Sequence, residues 1–261
     1  MNIGVYNITR LACTNAAVWI FDVSFMRRGF AGDFGKPHDR ARNCGKKFRM
    51  YESGVVEMLK TILIAACIGH IVCGVTDCML AYTPDGRFDM SKDAKDPERM
   101  KKLFSKMPLK QIELAMMIGV FALFAAGFGY IGLSRWAEQF SQTAGTIMYI
   151  SGLFFIVPIA AHHVLCGAVE WFYIKLDRTE KALETVLDFF KKTADAALAY
   201  VGLLVFCVTL FVLVVTGRTG LPVWTCVFNT LAFFIILAPT KLPAKGNIAN
   251  ALMFLCLAIA I

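Results

Sequence analysis

The chain has 261 residues, of which 57% are AVILMFWYC and only 18% DEKR, with a formal net charge of +8. A soluble domain carries roughly 45–50% apolar and about 25% charged residues. A mean hydropathy of +0.60 together with 22 Phe therefore leaves more apolar surface than one soluble core can bury, and excludes disorder, collagen and a small disulfide scaffold.

Residues 1–57 form a basic N-terminal extension with nine Lys or Arg, clustered between Arg27 and Arg49. Its one apolar stretch, Leu11–Met26, is interrupted by Asn15 and Asp22 and makes a poor membrane span. Two readings fit this extension: a disordered basic tail, or an over-called start. On the second reading translation begins at Met58, whose Met58-Leu59-Lys60 leads straight into an apolar run.

Residues 58–261 read as an all-α transmembrane domain. Crossing about 30 Å of hydrocarbon takes roughly 20 apolar residues. Six helices are expected, over about 61–82, 112–133, 143–174, 196–216, 222–239 and 247–261. The third run would extend about 48 Å at 1.5 Å per residue, so it is expected to tilt, to project beyond the membrane, or to kink at Pro158. The loops between these runs carry 8, 1, 5, 1 and 2 Lys or Arg in turn. Cytoplasmic loops are the Lys/Arg-rich ones, which assigns loops 83–111, 175–195 and 240–246 to the cytoplasmic side of an inner membrane. The basic cluster before the first span contradicts that orientation, which is the argument for the late start. Within the third loop, Glu180–Lys192 places most of its apolar residues on one helical side, as an interfacial helix or a soluble turn of helix would. The spread of basic residues among acidic ones suits anionic lipid head groups as partners and not nucleic acid.

An octapeptide occurs twice. His70-Ile-Val-Cys-Gly-Val-Thr-Asp77 in the first span matches His163-Val-Leu-Cys-Gly-Ala-Val-Glu170 in the third. By the charge count both spans run in the same direction, so they read as a parallel internal repeat. Positions i and i+7 share a helical side, about 10.5 Å apart. Facing helices would then set His70 against His163 in one layer and Asp77 against Glu170 in a lower one. Gly74 and Gly167 would allow close approach. Charged groups in hydrocarbon cost at least about 2.5–3.5 kcal/mol, so Asp77 and Glu170 need a proton, a cation, a basic partner or water. His162 and Glu113 are further candidates, and Asn229, Asn247 and Asn250 offer amides. In the second span, Ala122, Ala125, Ala126, Gly129 and Gly132 read as packing alone.

These residues admit several functions. The site binds or moves protons, a cation or a small solute; or imidazoles and a carboxylate hold zinc and activate water in a lipid hydrolase; or His70 and His163 ligate haem; or the two HxxC pairs, with His70, Cys73, His163 and Cys166 as metal candidates, form a Cys2His2 zinc site. Hydrogen bonding between His and acid would equally stabilise a bundle with no site at all. No phosphate-binding loop, GxSxG, HExxH or dinucleotide motif stands where it could work.

The layout of a His-to-Asp first span followed by Tyr82-Thr83-Pro84-Asp85-Gly86 resembles uncharacterised bacterial multi-span membrane families. Thr76-Asp77-Cys78-Met79-Leu80, and Gly152-Leu153 leading to Ala161-His162, are similar to stretches of the lysoplasmalogenase-like membrane family, with Thr76 where that family has Gly. That resemblance implies hydrolysis of an ether-lipid head group, with Asp77 and His162 near the reaction.

Overall fold

The computed structural model describes residues 37–193 and 196–261, with side chains from Gly54 onward apart from those of Ser91 and Ala197. The stretch 11–26, with the rest of residues 1–36 of the basic extension, lies outside the described residues. Gly54–Ile261 forms one compact unit, separate from Met1–Ser53, and the description below concerns that unit.

Helix α1 (Pro37–Ala81) leads into a two-strand ribbon, β1 (Tyr82–Thr83) and β2 (Gly86–Arg87). Gly86 turns the ribbon at φ +138°, a backbone conformation that L side chains rarely adopt. Two short helices follow, α2 (Met90–Asp93) and α3 (Pro97–Leu103). Asp96 caps α3 by accepting from Arg99 N, and Pro97 supplies a ready-made first turn. Then come α4 (Leu109–Glu138), α5 (Gln142–Lys175), α6 (Glu180–Thr193) and α7 (Ala196–Val215). Ser141 starts α5 by accepting from Ala144 N. This helix continues through Pro158 for 34 residues, about 51 Å at 1.5 Å per residue.

Among the described residues, four helical stretches are long and apolar enough to cross a membrane: Gly54–Ala81, Leu109–Glu138, Gln142–Lys175 and one within Glu180–Val215. The six continuous spans expected from the sequence are not all present as such. Residues 222–239 form a 3₁₀ turn (Val223–Val227) and a separate eight-residue helix, α8 (Thr230–Leu237). Asn229 causes the break. Its side chain accepts from Leu231 N to cap α8, while its amide donates to the Cys207 carbonyl at 2.8 Å. A capping Asn competes with a through-going helix for the same backbone groups. The last helix, α9 (Lys245–Ala260), has 16 residues.

The small residues of α4 do pack, as expected. A Cβ at Gly129 would meet Ala66 and Phe254, and one at Gly132 would come within 3.1 Å of Ile62. On α1, Gly69 lies against the Ala122 carbonyl and Ala126. These contacts hold α1, α4 and α9 together around Tyr130, Phe254 and Leu63, all fully buried. A second apolar cluster closes one end of the bundle, where Phe88 and Phe104 meet Tyr173 and the inner side of α6 (Ala182, Leu183, Val186). The apolar side of α6 is thus spent in part on its own protein. Hydrogen bonds from Arg178 Nε to the Phe104 carbonyl and from Arg87 Nη1 to the Lys241 carbonyl bring all three Lys/Arg-rich loops to this same end. The outward side of α1 stays apolar, with Ile64, Ile68, Ile71 and Val75 each about half exposed.

Candidate functional site

Cys73 and Asp77 lie one turn apart on α1 and so share a face. His163 reaches them from α5. Its Nδ1 is 3.0 Å from Asp77 Oδ1, and its Nε2 is 3.0 Å from the Ala115 carbonyl of α4. Room for the ring comes from Gly119, where any Cβ would collide with the imidazole. Asn247, near the start of α9, completes the group. Its amide nitrogen donates to Asp77 Oδ2 at 2.7 Å and to Cys73 Sγ at 3.4 Å, and its Oδ1 accepts from His70 Nδ1 at 2.8 Å. The Tyr130 hydroxyl lies 3.2 Å from the other nitrogen of His70 and donates to Asn250 Oδ1 at 2.9 Å. Asn250 Oδ1 also accepts from Thr230 at 2.7 Å. The result is an unbroken polar line from Ala115 to Thr230 through a largely apolar bundle.

The directions of these bonds fix where protons sit. A carbonyl oxygen only accepts, so His163 Nε2 carries a hydrogen. Thr76 agrees: its hydroxyl already donates to the Cys73 carbonyl at 2.8 Å, so its oxygen, 3.4 Å from Nε2, can only accept. In a neutral ring Nδ1 is then a bare lone pair, and it faces a carboxylate oxygen. Two acceptors at 3.0 Å repel unless a hydrogen or a metal ion stands between them. Asp77 is the more accessible partner, with 34% of its side chain exposed against 5% for His163.

The two octapeptides do not meet in the layers expected from the sequence. His163 pairs with Asp77 and not with His70, so α1 and α5 are offset by about one heptad. Asp77 likewise does not pair with Glu170. The repeated glycines serve different neighbours: Gly74 faces Asn247 and Ala244 of the α9 region, whereas Gly167 packs on Met116 of α4. Glu170 is buried, and its Oε2 meets no hydrogen-bond partner among the described residues. Glu113 lies apart and accepts from Trp171 Nε1 at 2.9 Å. His162 contacts Cys166 Sγ at 3.4 Å and stacks obliquely near Phe190.

Of the four metal candidates read from the sequence, Cys73 and His163 come together, with Asp77 as the third member. Their ligand atoms lie within 4.8 Å of one another. His70 and Cys166 fall outside this group. Haem between His70 and His163 does not fit, because both nitrogens of each ring already face protein partners and the His70 ring stacks on Phe254 at 5.8 Å. Sequence reasoning missed Tyr130, Thr76 and Gly119. An aromatic, a threonine and a glycine are ordinary in apolar helices, and only the neighbours give these three a role.

The model of a family of unknown function, DUF6796, matches residues 50–261, and the chain belongs to that family. No curated protein and no solved structure matches the chain significantly. The resemblance to lysoplasmalogenase-like membrane proteins is thus not supported by any named homologue.

Proposed function

We propose that this member of the DUF6796 family is a multi-pass protein of the cytoplasmic membrane that takes up a cation, in the simplest case a proton, at the buried Asp77–His163 pair and passes it across. One observation carries the reading. His163 is held with its hydrogen on Nε2, so the 3.0 Å contact from Nδ1 to Asp77 Oδ1 needs a proton or a metal ion between the two atoms to be stable. A carboxylate and an imidazole in a low-dielectric bundle are costly to keep for packing alone.

Six passages of the chain are supported by the loops. The Lys/Arg-rich segments 83–111, 175–195 and 240–246 meet at one end, whereas Arg218 lines a groove with Ser141 at the opposite end. Residues 222–239 therefore travel the length of the bundle although their helix is broken. The positive-inside bias makes the basic end cytoplasmic. The half-exposed apolar stripe on α1 suits acyl chains, and the anionic head groups of the inner leaflet are the partners of the basic loops.

The test is flux in proteoliposomes with the membrane potential clamped, driven by an imposed pH gradient and read by an internal pH indicator or, in parallel vesicles, driven by an imposed zinc gradient and read by an internal zinc indicator. Wild-type protein is expected to carry one of the two cations, and Asp77→Asn to lose at least nine-tenths of that flux. Flux no greater than in protein-free vesicles for both indicators, or undiminished flux in Asp77→Asn, overturns the proposal.

A further inference from the structure

We infer that the cation is a divalent transition-metal ion of the zinc class, bound by Cys73 Sγ, Asp77 Oδ1 and His163 Nδ1. The inference rests on the reading above that this site takes a cation, and it names which one. One ligand atom from each of these three residues lies within 4.8 Å of the other two, close enough to converge on a single ion after small side-chain movements. Thiolate, carboxylate and imidazole are the donor set that zinc prefers, and three protein ligands leave a fourth position open.

The surroundings have the form of an outer coordination shell. A metal-ligating histidine characteristically donates its second N–H to a backbone carbonyl, which fixes the tautomer and aims the lone pair at the metal. His163 does so through Ala115. The two hydrogens of the Asn247 amide point at Asp77 Oδ2 and Cys73 Sγ. Both targets accept best when they are deprotonated, as metal binding requires. Thr76 ties the Cys73 turn of α1 to the edge of the imidazole.

Charge balances without help from elsewhere. Before binding, the site holds a thiol proton on Cys73 and one proton between His163 and Asp77. A divalent ion displaces both. Two positive charges leave and two arrive, so the bundle carries no additional net charge at any stage. The exchange of one M²⁺ for two protons is the stoichiometry that a membrane interior tolerates best, because uncompensated charge there is costly.

The experiment is a titration of the full-length chain, purified in detergent under reducing conditions, with Co²⁺ as a spectroscopic stand-in for Zn²⁺. The expected result is one equivalent bound, with thiolate-to-cobalt charge-transfer absorption in the near ultraviolet and reversal by added Zn²⁺. Cys73→Ser removes that absorption and weakens binding at least tenfold, while Cys166→Ser leaves the spectrum unchanged. Helix content measured on each variant separates lost ligation from lost fold, and Cys73→Ala, which removes the ligand without adding a hydroxyl, repeats the test should the serine variant misfold. Absence of the charge-transfer band in the wild type, or its persistence in a folded Cys73 variant, overturns the inference. A wild type that carries protons through Asp77 but binds no Co²⁺ sinks the metal and leaves the cation site standing. A wild type that binds Co²⁺ but carries neither cation keeps the metal site and sinks the transport reading.

Discussion

The two octapeptides share His, Cys and Gly at identical spacing and end in an acid, yet they live in different chemistry. Around Asp77, every polar atom answers another: His163 on one oxygen, Asn247 on the other, Ala115 and Thr76 behind the imidazole. Around Glu170, the equivalent acid, Oε2 is buried with no hydrogen-bond partner among the described residues. What separates them is neighbours. The first copy lies against α9, which brings Asn247, and α5 slides past α1 by about a heptad so that the second copy's His lands beside the first copy's Asp. Likeness in sequence thus made two similar ladders, and the axial offset of their helices spent one His and one acid on a single site.

The sharpest way to break that contrast is Gly119→Val. The new side chain occupies the space of the His163 ring, and overpacking of a dense interior costs about 1–3 kcal/mol. We expect a loss near the top of that range in SDS-titrated unfolding, together with loss of cation binding. A stable variant with intact binding would mean that the imidazole has another seat. Next in size is Asp77→Leu, which strands His163 and an amide donor. Leaving buried polar groups without partners costs about 1–3 kcal/mol, and the same measurement should show it. Glu170→Leu is the matched comparison. It removes an acid whose Oε2 has no hydrogen-bond partner among the described residues, and replacement of buried polar groups by apolar ones is often neutral or stabilising. Its stability should stay within about 1 kcal/mol of wild type. Equal losses in the two leucine variants would erase the distinction between the acids.

The smallest effect belongs to an acid outside the apolar helices. Asp85, in the ribbon turn, accepts from Ser105 at 2.9 Å and from Lys106 at 3.1 Å, and these bonds hold its carboxyl below its ordinary value of 3.8. A carboxyl lowered in the folded state adds stability above its unfolded value, and that stability fades as pH falls through the lower, folded value. Acid should therefore weaken the loop in the wild type, and less so in Asp85→Asn. Melting of both proteins at pH 7 and pH 2.5 reads the difference. Screening by solvent keeps it small, and an equal acid sensitivity in the two proteins would refute the assignment.

Much of the fold was legible from hydropathy alone, because a run of twenty apolar residues has few other uses. Gly54–Ala81, Leu109–Glu138 and Gln142–Lys175 cover the first three expected spans apart from Tyr82, which begins the ribbon. The break at Asn229 was harder to foresee, since an Asn in an apolar run reads equally as an interhelical hydrogen bond or as a cap, and here it is both. Within the site, rare polar residues in apolar helices pointed to His70, Asp77 and His163. Their pairing was hidden, because periodicity gives the side of a helix that a residue occupies but not the height at which a remote helix crosses it. Asn247 was visible only as an amide. Its bridging role depends on α9 folding back along α1.

The interruption at Asn229 also bears on the lipid around the protein. Helix α8 has eight residues and so extends only about 12 Å, less than half the usual hydrocarbon thickness of about 30 Å. Its outward Ile235 and Ile236 are 71% and 67% exposed, and the apolar flank continues through the 3₁₀ turn at Val223, Trp224 and Val227, which are 50%, 63% and 52% exposed. Irregular backbone at membrane depth is tolerated only where protein satisfies it, and the bond from Asn229 to the Cys207 carbonyl helps to do so. With six passages of the chain, this flank should face acyl tails on both sides of the break, with the joint itself turned inward against α7.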